Sequence, residues 1–422
     1  MPAVTHAAIQ RHYAAVLAVG QAFFAAEAER LATACWGMAR RFHDGGKLVI
    51  HAPGGPSFSD AQHNAVEFIH PVLVGKRALP AVSVRDRRHL AVLCGPSDIA
   101  MEMRADGFEV AGEAFTVAGG DAFVAQEVME TAYHELWELV HVFFEHEGLL
   151  AEACTDEVCV TCGDVALQAA VVRAGGGTAL VRTVRGEEEV DAGLVAPLAP
   201  GELVLVHGGV ALERVKPIDQ FSQEFYPFLT NEAVDVQGVL ADVAASVRMK
   251  WDEVAGLRRE QDVDALAAAL DAVRGRVAAG ARVLCFGNGG SATDAADLVA
   301  DLLDVGVPAL DLSGEPAVLT AIGNDIGFDE VFARQVIALG RAGDVAVGIS
   351  TSGRSGNVTR ALHQARAQGI GTVALVGYGG GAMSGDGEID HVLVTGSTYI
   401  PRIQEAQATM YHALVRGLED LR

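Results

Sequence analysis

The sequence predicts an α/β protein in which two doubly wound, parallel-sheet domains flank a small β-barrel. A strand, a Gly-rich turn and a helix start occur together twice, far apart in the chain, and the segment between them has the pattern of short strands. The 48 glycines suit a fold with many tight strand-to-helix turns. A length of 422 residues exceeds one typical core and predicts two or three domains.

The internal repeat is visible at both of its ends. Residues 45–63 read GGKLVIHAPGGPSFSDAQH, and residues 279–297 read AGARVLCFGNGGSATDAAD. Each copy closes on a long helix, with QEVMETAYH at 126–134 and QEAQATMYH at 404–412. The helix starts are 234 residues apart and the closing helices 278 apart, so the first copy is 44 residues shorter. We expect it to lack most of 318–340 and part of the loops that follow.

The segment between the copies has short β-branched runs, separated by Gly, Pro and acidic turns. This pattern is typical of a small antiparallel barrel. We therefore predict three domains, at 1–150, 151–217 and 218–422.

Composition and charge exclude several classes of partner. The net charge of −24 repels nucleic acid and anionic membrane surfaces, although a local cradle can still bind a small anion. No apolar run approaches the roughly 20 residues of a transmembrane helix, and the N-terminus lacks a signal-peptide pattern. Six cysteines are too sparse for a disulfide scaffold. We expect a cytoplasmic protein.

Two loops of the second copy have the composition of a phosphate cradle. GNGGSA (287–292) and STSGRSGN (350–357) each follow an apolar strand and open a helix. Small residues there let backbone N–H groups and the positive helix end meet an anion. The alternative is that these Ser- and Thr-rich turns only cap helices. Two such loops at carboxyl ends of predicted parallel strands favour ligand binding.

Four segments of the second copy resemble the sugar isomerase (SIS) domain, and most closely its phosphoheptose isomerase branch, which converts sedoheptulose 7-phosphate. They are GNGGSATDAADLVADL, LTAIGNDIGFDEVFARQV, GDVAVGISTSGRSGNV and RIQEAQATMYH. The resemblance covers roughly 220–422 and implies a five-stranded parallel sheet, self-association into a homo-oligomer and a phosphorylated sugar as ligand. It assigns phosphate binding to Ser350, Thr351, Ser352 and Ser355, and sugar contacts to Asn288, Ser291 and Asp325.

The same resemblance implies an acid–base and metal quartet: a His, a Glu four residues later, and a Gln and a His on the last helix. The second copy has Asp297, Asp301, Gln404 and His412 at these positions, and the first has His63, Glu67, Gln126 and His134. We expect a zinc-like divalent metal at the quartet and expect catalysis to involve His63, Glu67, His134, Asp301 and His412. An aldose–ketose isomerase needs a base for the proton and an acid or metal at the carbonyl.

The first copy is a degenerate version of the domain, because it keeps the quartet but not the loops. GNGGSA has become PGGPSF, in which Pro53 and Pro56 remove N–H donors, and STSGRS is reduced to CGPSDI (94–99). Each copy thus keeps one half of a site. We hypothesise that the copies pair as a pseudo-dimer with a composite site. The alternative is that the first copy is a relic that holds the pair together.

The middle domain contains Cys159 and Cys162 as C-x-x-C. A zinc knuckle would need a second pair of Cys or His ligands, which does not follow at the right spacing. A thioredoxin-like redox site would need a βαβ context, which is absent from the sequence pattern. CVTCGDVALQAAVV and GELVLVHGGVALERV instead resemble the HypC/HupF family, small (OB-like) barrel chaperones of [NiFe]-hydrogenase maturation. The resemblance implies that Cys159 and His207 hold iron or a partner thiol. It also implies a HypD-like protein or the hydrogenase large subunit as partner.

Together these features predict a protein that binds a sugar phosphate, acts on it as an isomerase or lyase, and serves hydrogenase maturation. The first alternative is a phosphoheptose isomerase whose barrel only spaces the domains. The second is a non-catalytic sugar-phosphate sensor.

Overall fold

The computed structural model describes residues 2–71, 76–146, 149–150, 167–175, 177–183, 186–193, 195, 197–207, 210–214 and 236–421. In these ranges no helix combines the length and the apolar character needed to cross a membrane.

The first copy is a mixed α/β unit. Its elements are α1 (Pro2–His43), β1 (Leu48–His51), α2 (Pro56–Ile69), β2 (Ala81–Val84), α3 (Arg87–Leu93), β3 (Ile99–Arg104), β4 (Gly107–Val110), β5 (Glu113–Thr116) and α4 (Ala122–Glu145). The sheet order is β2-β1-β3-β4-β5. Strand β1 is parallel to β2 and β3, whereas β3, β4 and β5 are antiparallel neighbours.

The prediction of a parallel, doubly wound sheet is therefore wrong for the second half of this copy. Only two residues join β3 to β4. Two more, Ala111 and Gly112, join β4 to β5, and both have a positive φ angle. Such tight turns connect antiparallel strands, because a parallel connection needs a crossover of about a dozen residues or more. The shortened copy replaces crossovers with hairpins.

The predicted remnant of the second phosphate loop, CGPSDI, is also wrong. It lies between α3 and β3, before the strand rather than after it. Its Asp98 accepts hydrogen bonds from the backbone N–H and the ammonium of Lys47. The first copy has a two-residue turn where the second has STSGRSGN.

The middle segment forms a five-stranded sheet that closes into a barrel. Its strands are β6 (Leu167–Gly175), β7 (Thr178–Thr183), β8 (Gly186–Asp191), β9 (Leu203–His207) and β10 (Val210–Arg214). The order is β10-β8-β7-β6-β9, and one residue pair, Val210 with Asp191, closes the ring. Apart from that parallel pair, the neighbours are antiparallel.

The second copy has the predicted five-stranded parallel sheet, in the order β12-β11-β13-β14-β15. Its strands are β11 (Val283–Gly287), β12 (Ala309–Asp311), β13 (Val345–Ser350), β14 (Gly371–Val376) and β15 (His391–Val394). Its helices are α5 (Val236–Glu260), α6 (Val263–Ala278), α7 (Gly290–Asp304), α8 (Pro316–Asp325), α9 (Val331–Leu339), α10 (Gly356–Ala367) and α11 (Ile400–Arg416).

The hydrophobic cores do not follow the predicted boundary between the copies. The buried face of α5 belongs to the core of the first copy, whereas Ile9 and Tyr13 of α1 belong to a core of the second. Trp251 of α5 stacks on Phe24 of α1, with ring centroids 5.0 Å apart. A Cβ on Gly20 would lie 1.9 Å from the Trp251 ring, so only glycine fits there. The two copies therefore interlock through their first helices.

Candidate functional site

Four helices bring the predicted quartets together. Helix α2 packs on α7, its counterpart in the other copy. Helix α4 packs on α2, α11 packs on α7, and α4 and α11 pack against each other. The i, i+4 spacing puts His63 and Glu67 on one face of α2, and Asp297 and Asp301 on one face of α7. All four side chains are buried. The two copies therefore pair through these helices, as the sequence led us to expect.

Three side-chain nitrogens converge in the His63 half of the site. The Nε2 atom of His134 lies 3.4 Å from the Nε2 atom of His63, and the Gln404 amide nitrogen lies 3.0 Å from it. The Oε1 atom of Glu67 lies 3.8 Å from the Nε2 atom of His63. Two imidazole nitrogens at this distance repel unless a proton or a cation lies between them. The two imidazoles, with the Glu67 carboxylate nearby, therefore fit a divalent metal.

The glutamines of the two predicted quartets are exchanged. Gln404 of the second copy contacts His63 of the first, and Gln126 of the first donates to Asp297 of the second. The prediction that each quartet takes its Gln from its own copy is therefore wrong. Helices α4 and α11 contact each other. The Gln on each helix therefore reaches a residue of the other copy.

Two glutamates missed by the sequence analysis hold the histidines, again across copies. Nδ1 of His134 lies 2.9 Å from Oε1 of Glu405, and Nδ1 of His412 lies 2.9 Å from Oε1 of Glu127. Arg402 pairs with Glu405. A carboxylate on one ring nitrogen fixes the orientation of an imidazole whose other nitrogen is used elsewhere. The signal was present in the repeated Gln-Glu dipeptide, of which only the Gln was assigned.

The Asp297 half of the site has different chemistry. Asp297 accepts hydrogen bonds from Ser59 at 2.6 Å and from Tyr411 at 3.2 Å, in addition to Gln126. Nε2 of His412 lies 3.3 Å from Oδ2 of Asp301. A cavity of about 290 Å³ adjoins this half, and its polar lining comes from Ser57, Asp60, Gln126, Asp301 and Asp304.

Burial and neighbouring charges shift several pKa values in both halves. Burial raises the pKa of Glu67 to about 7. Burial is the main cause that raises the pKa of Asp297, and the charges of Asp60 and Asp301 raise it further. Burial opposes protonation of His412, but Asp301 and Glu127 outweigh it and raise the pKa to about 10. His412 is therefore held as a cation, whereas burial lowers the pKa of His134.

The two glycine-rich loops of the second copy lie side by side, because β11 and β13 are neighbours. The amides of Asn288 and Asn357 exchange hydrogen bonds of 3.0 and 2.9 Å and tie the loops together. Ser350 donates to Ser355 at 2.9 Å, and the Arg354 N–H donates to Ser352. Ser350 to Ser355 thus surround the start of α10, with Thr351 in the same turn.

The first loop reaches the His63 half of the site directly. A Cβ on Gly290, the first residue of α7, would lie 2.3 Å from the Gln404 amide nitrogen and 2.9 Å from Nε2 of His63. Ser291 follows and is buried. Nδ1 of His63 lies 3.3 Å from Asp294, one turn further along α7. The second copy's loop and the first copy's His63 therefore share one site.

One residue that was predicted to contact the sugar, Asp325, is not brought into this site. Asp325 lies at the exposed end of α8, where it accepts from Asn324 and lines a separate cavity of about 600 Å³. His207 ends β9, opposite Val210. Cys159 lies outside the described residues.

Comparison with known proteins places these observations in a family. A family model described as "SIS domain" matches residues 252–377. The phosphoheptose isomerase of Geobacter sp. (strain M21) is 41% identical over 182 residues, which are 42% of this chain and 93% of that protein. The phosphoheptose isomerase of Nitratidesulfovibrio vulgaris (strain Hildenborough) is 45% identical over 150 residues, 34% of this chain and 71% of that protein. The phosphoheptose isomerase structure from Neisseria gonorrhoeae matches 41% of this chain and 98% of its own, with 36% identity and a TM-score of 0.40. The chain belongs to the SIS-domain family, as a relative of the phosphoheptose isomerases.

Proposed function

We propose that the chain is an aldose–ketose isomerase of a phosphorylated sugar, with one composite site made by both copies. The observation that carries the proposal is the close approach of Gly290 to His63 and Gln404, which leaves no room for a Cβ at residue 290. It joins the phosphate-binding type of loop in one copy to the complete His–Glu–His set of the other. Sedoheptulose 7-phosphate is the proposed substrate, since the relatives of the second copy are named phosphoheptose isomerases.

The phosphate is the part of the substrate that the second copy binds. Ser350, Thr351, Ser352 and Ser355 offer hydroxyls at the start of α10, where the helix dipole favours an anion. The two loops offer backbone N–H groups among mostly small side chains, and the longer Arg354 is exposed. This local cradle compensates for the net charge of −24, which disfavours anions elsewhere on the protein.

The first copy supplies the proton-transfer group. Oε2 of Glu67 is buried and has no hydrogen-bond partner among the described residues. A carboxyl with a pKa of about 7 can both take and return a proton at neutral pH, as transfer between C1 and C2 requires. His63 and His134 would hold the divalent metal, which supplies polarisation of the substrate carbonyl when bound. Glu405 would keep His134 oriented toward that task.

The assay is interconversion of sedoheptulose 7-phosphate with its aldose isomer. Glu67→Gln should lower kcat by about 10²–10⁴-fold, the usual effect of losing a general base. Asp301→Asn, at the equivalent position of the other copy, tests the sequence-based expectation that Asp301 also takes part in catalysis. In the composite site proposed here, this variant should retain most activity. If Asp301→Asn abolishes turnover and Glu67→Gln does not, the active half has been assigned wrongly. Binding without turnover in the wild type would favour the sensor alternative.

The barrel supports a second proposal, an accessory role in [NiFe]-hydrogenase maturation. The two ends of the LVHGGVAL motif lie in β9 and β10, which pair antiparallel in a five-stranded barrel, a fold expected for a HypC/HupF-like module. In this proposal Cys159 and His207 hold iron or engage a HypD-like partner, since thiolate and imidazole suit a soft metal.

Pull-down with a HypD-like protein and iron analysis test this second proposal. Cys159→Ser should abolish both iron association and co-purification, and His207→Ala should weaken them. Sugar-phosphate binding is the internal control and should be unchanged. Wild-type behaviour of Cys159→Ser in both assays would make the barrel a spacer and leave the isomerase proposal standing.

A further inference from the structure

Glu130 is a buried carboxylate of the His63 half that the quartet does not include. It lies on α4, four residues after Gln126 and four before His134, so the three side chains share one helix face. Glu130 is 3% exposed, and its Oε1 atom has no hydrogen-bond partner in the described part of the chain. One donor atom each from His63, Glu130 and His134 lie within 4.8 Å of one another.

The other copy shows that the repeat does not require this carboxylate. Residue 408, which corresponds to Glu130 on α11, is alanine. Glu130 is buried, and its carboxyl lies beside the imidazoles of His63 and His134. A buried carboxyl without a hydrogen-bond partner is costly unless a proton or a cation balances it.

A second cluster with the same residue types serves as a comparison. His12, Glu127 and His412 also bring their donor atoms within 4.8 Å of one another. There the carboxylate is already used, because Oε1 of Glu127 lies 2.7 Å from His12 and 2.9 Å from His412. That cluster is a closed hydrogen-bond network. The Glu130 cluster is open, with an unpartnered oxygen near two imidazoles.

We propose that Glu130 is the carboxylate ligand of the divalent metal and completes a His₂Glu set with His63 and His134. Two imidazoles and one carboxylate with a fourth position open are a common ligand set of catalytic zinc. Glu67, which the quartet motif would assign as the ligand, then stays free for proton transfer. This inference rests on the composite site of the proposed function and concerns how that site holds its metal.

Zinc binding to the full chain tests the inference without reference to turnover. Zinc is titrated in competition with a chromophoric chelator into the wild type, Glu130→Gln and Glu130→Ala. Loss of even an outer partner of a metal ligand costs about 10–100-fold in affinity, so both variants should weaken zinc binding by at least that factor. Cobalt in place of zinc gives a second readout, since its visible spectrum changes when a ligand is lost.

Asp344→Asn is the matched control, because it removes a buried acid that lies outside the site and pairs with Arg282. It should bind zinc as the wild type does. Wild-type zinc affinity in both Glu130 variants, with loss in His134→Ala, would overturn the inference.

Two further outcomes separate this inference from the proposed function. A wild type that isomerises sedoheptulose 7-phosphate but binds no zinc overturns the role of Glu130 and leaves the isomerase standing. A wild type that binds zinc through Glu130 but does not act on the sugar phosphate supports the metal site and overturns the isomerase.

Discussion

Gly290 and His63 come from different copies of the repeat, yet a side chain on the first would collide with the ring of the second. A Cβ at residue 290 would lie 2.9 Å from Nε2 of His63. This approach is closer than two unbonded heavy atoms tolerate. The loop that opens α7 is therefore fitted to the histidine of α2, and the two halves of the site depend on each other.

Gly290→Ala should impair the His63 half without unfolding the protein. The new methyl group must displace Gln404 or His63, so zinc affinity and turnover should both fall. Gly256→Ala is the matched control, because residue 256 also lies on a helix and a Cβ there meets nothing within 4 Å. Zinc titration and the isomerase assay measure the effect. Equal zinc affinity in the two variants would show that the halves are independent.

Ser352→Ala should weaken binding of the sugar phosphate. A hydrogen bond to a charged group contributes about 1.5–3 kcal/mol, which corresponds to a tenfold or greater loss of affinity. Isothermal calorimetry with sedoheptulose 7-phosphate measures it. Thr320→Ala removes an exposed hydroxyl that bonds within α8 and should change nothing. An unchanged dissociation constant for Ser352→Ala would argue against the cradle.

Gly20→Ala should destabilise the interlock of the first helices. A Cβ at residue 20 would collide with the Trp251 ring, and overpacking of this kind costs about 1–3 kcal/mol. Chemical denaturation of the metal-free protein gives the free energy of unfolding. Gly256→Ala should be neutral or stabilising, since alanine is the better helix former. If Gly20→Ala is as stable as Gly256→Ala, then α1 and α5 leave room for a methyl group at residue 20, and the close contact with Trp251 is wrong.

Glu138→Gln should remove an acid-sensitive contribution to stability. Glu138 of α4 pairs with Lys250 of α5, and both are buried. Burial raises the pKa of Glu138, but Lys250 and Arg402 outweigh it and lower the pKa from 4.5 to about 2. A carboxyl with a depressed folded-state pKa stabilises above its unfolded value, and the contribution is lost as the pH falls through about 2.

At neutral pH, Glu138→Gln should therefore cost about 3–5 kcal/mol, because it takes a carboxylate away from a buried cation. The variant should also lose less stability than the wild type between about pH 4.5 and pH 2. Thermal unfolding across this range measures both effects. Glu109→Gln, on an exposed position of β4, is the control. A parallel pH dependence of the two variants would contradict the assignment.

The second copy was predictable because its motifs are local. Its strands and the loops after β11 and β13 each follow from a short stretch of sequence. The first copy was predicted less well, since shortening changed its topology. Two-residue turns such as Ala111–Gly112 force hairpins, and the repeat alone gave no reason to favour them over crossovers.

The composite site needed information that the repeat does not contain. The resemblance to the SIS family named His63 and His134, and the structure brings their Nε2 atoms to within 3.4 Å of each other. The exchange of Gln126 and Gln404 depends on how α4 and α11 cross, which no local pattern specifies. Glu130 was missed for a different reason. A comparison of the two copies reveals only what they share, and residue 408, the counterpart of Glu130, is alanine.

That difference has a consequence for how such a site evolves. A homodimer encoded by one gene acquires every substitution on both subunits, so its equivalent positions cannot diverge. Here the two equivalent positions lie on one chain, interlocked through α1 and α5, so a substitution at one leaves the other unchanged. Glutamate at 130 and alanine at 408 are therefore compatible. Tandem duplication released one half of the site from carrying the acid that the other half uses.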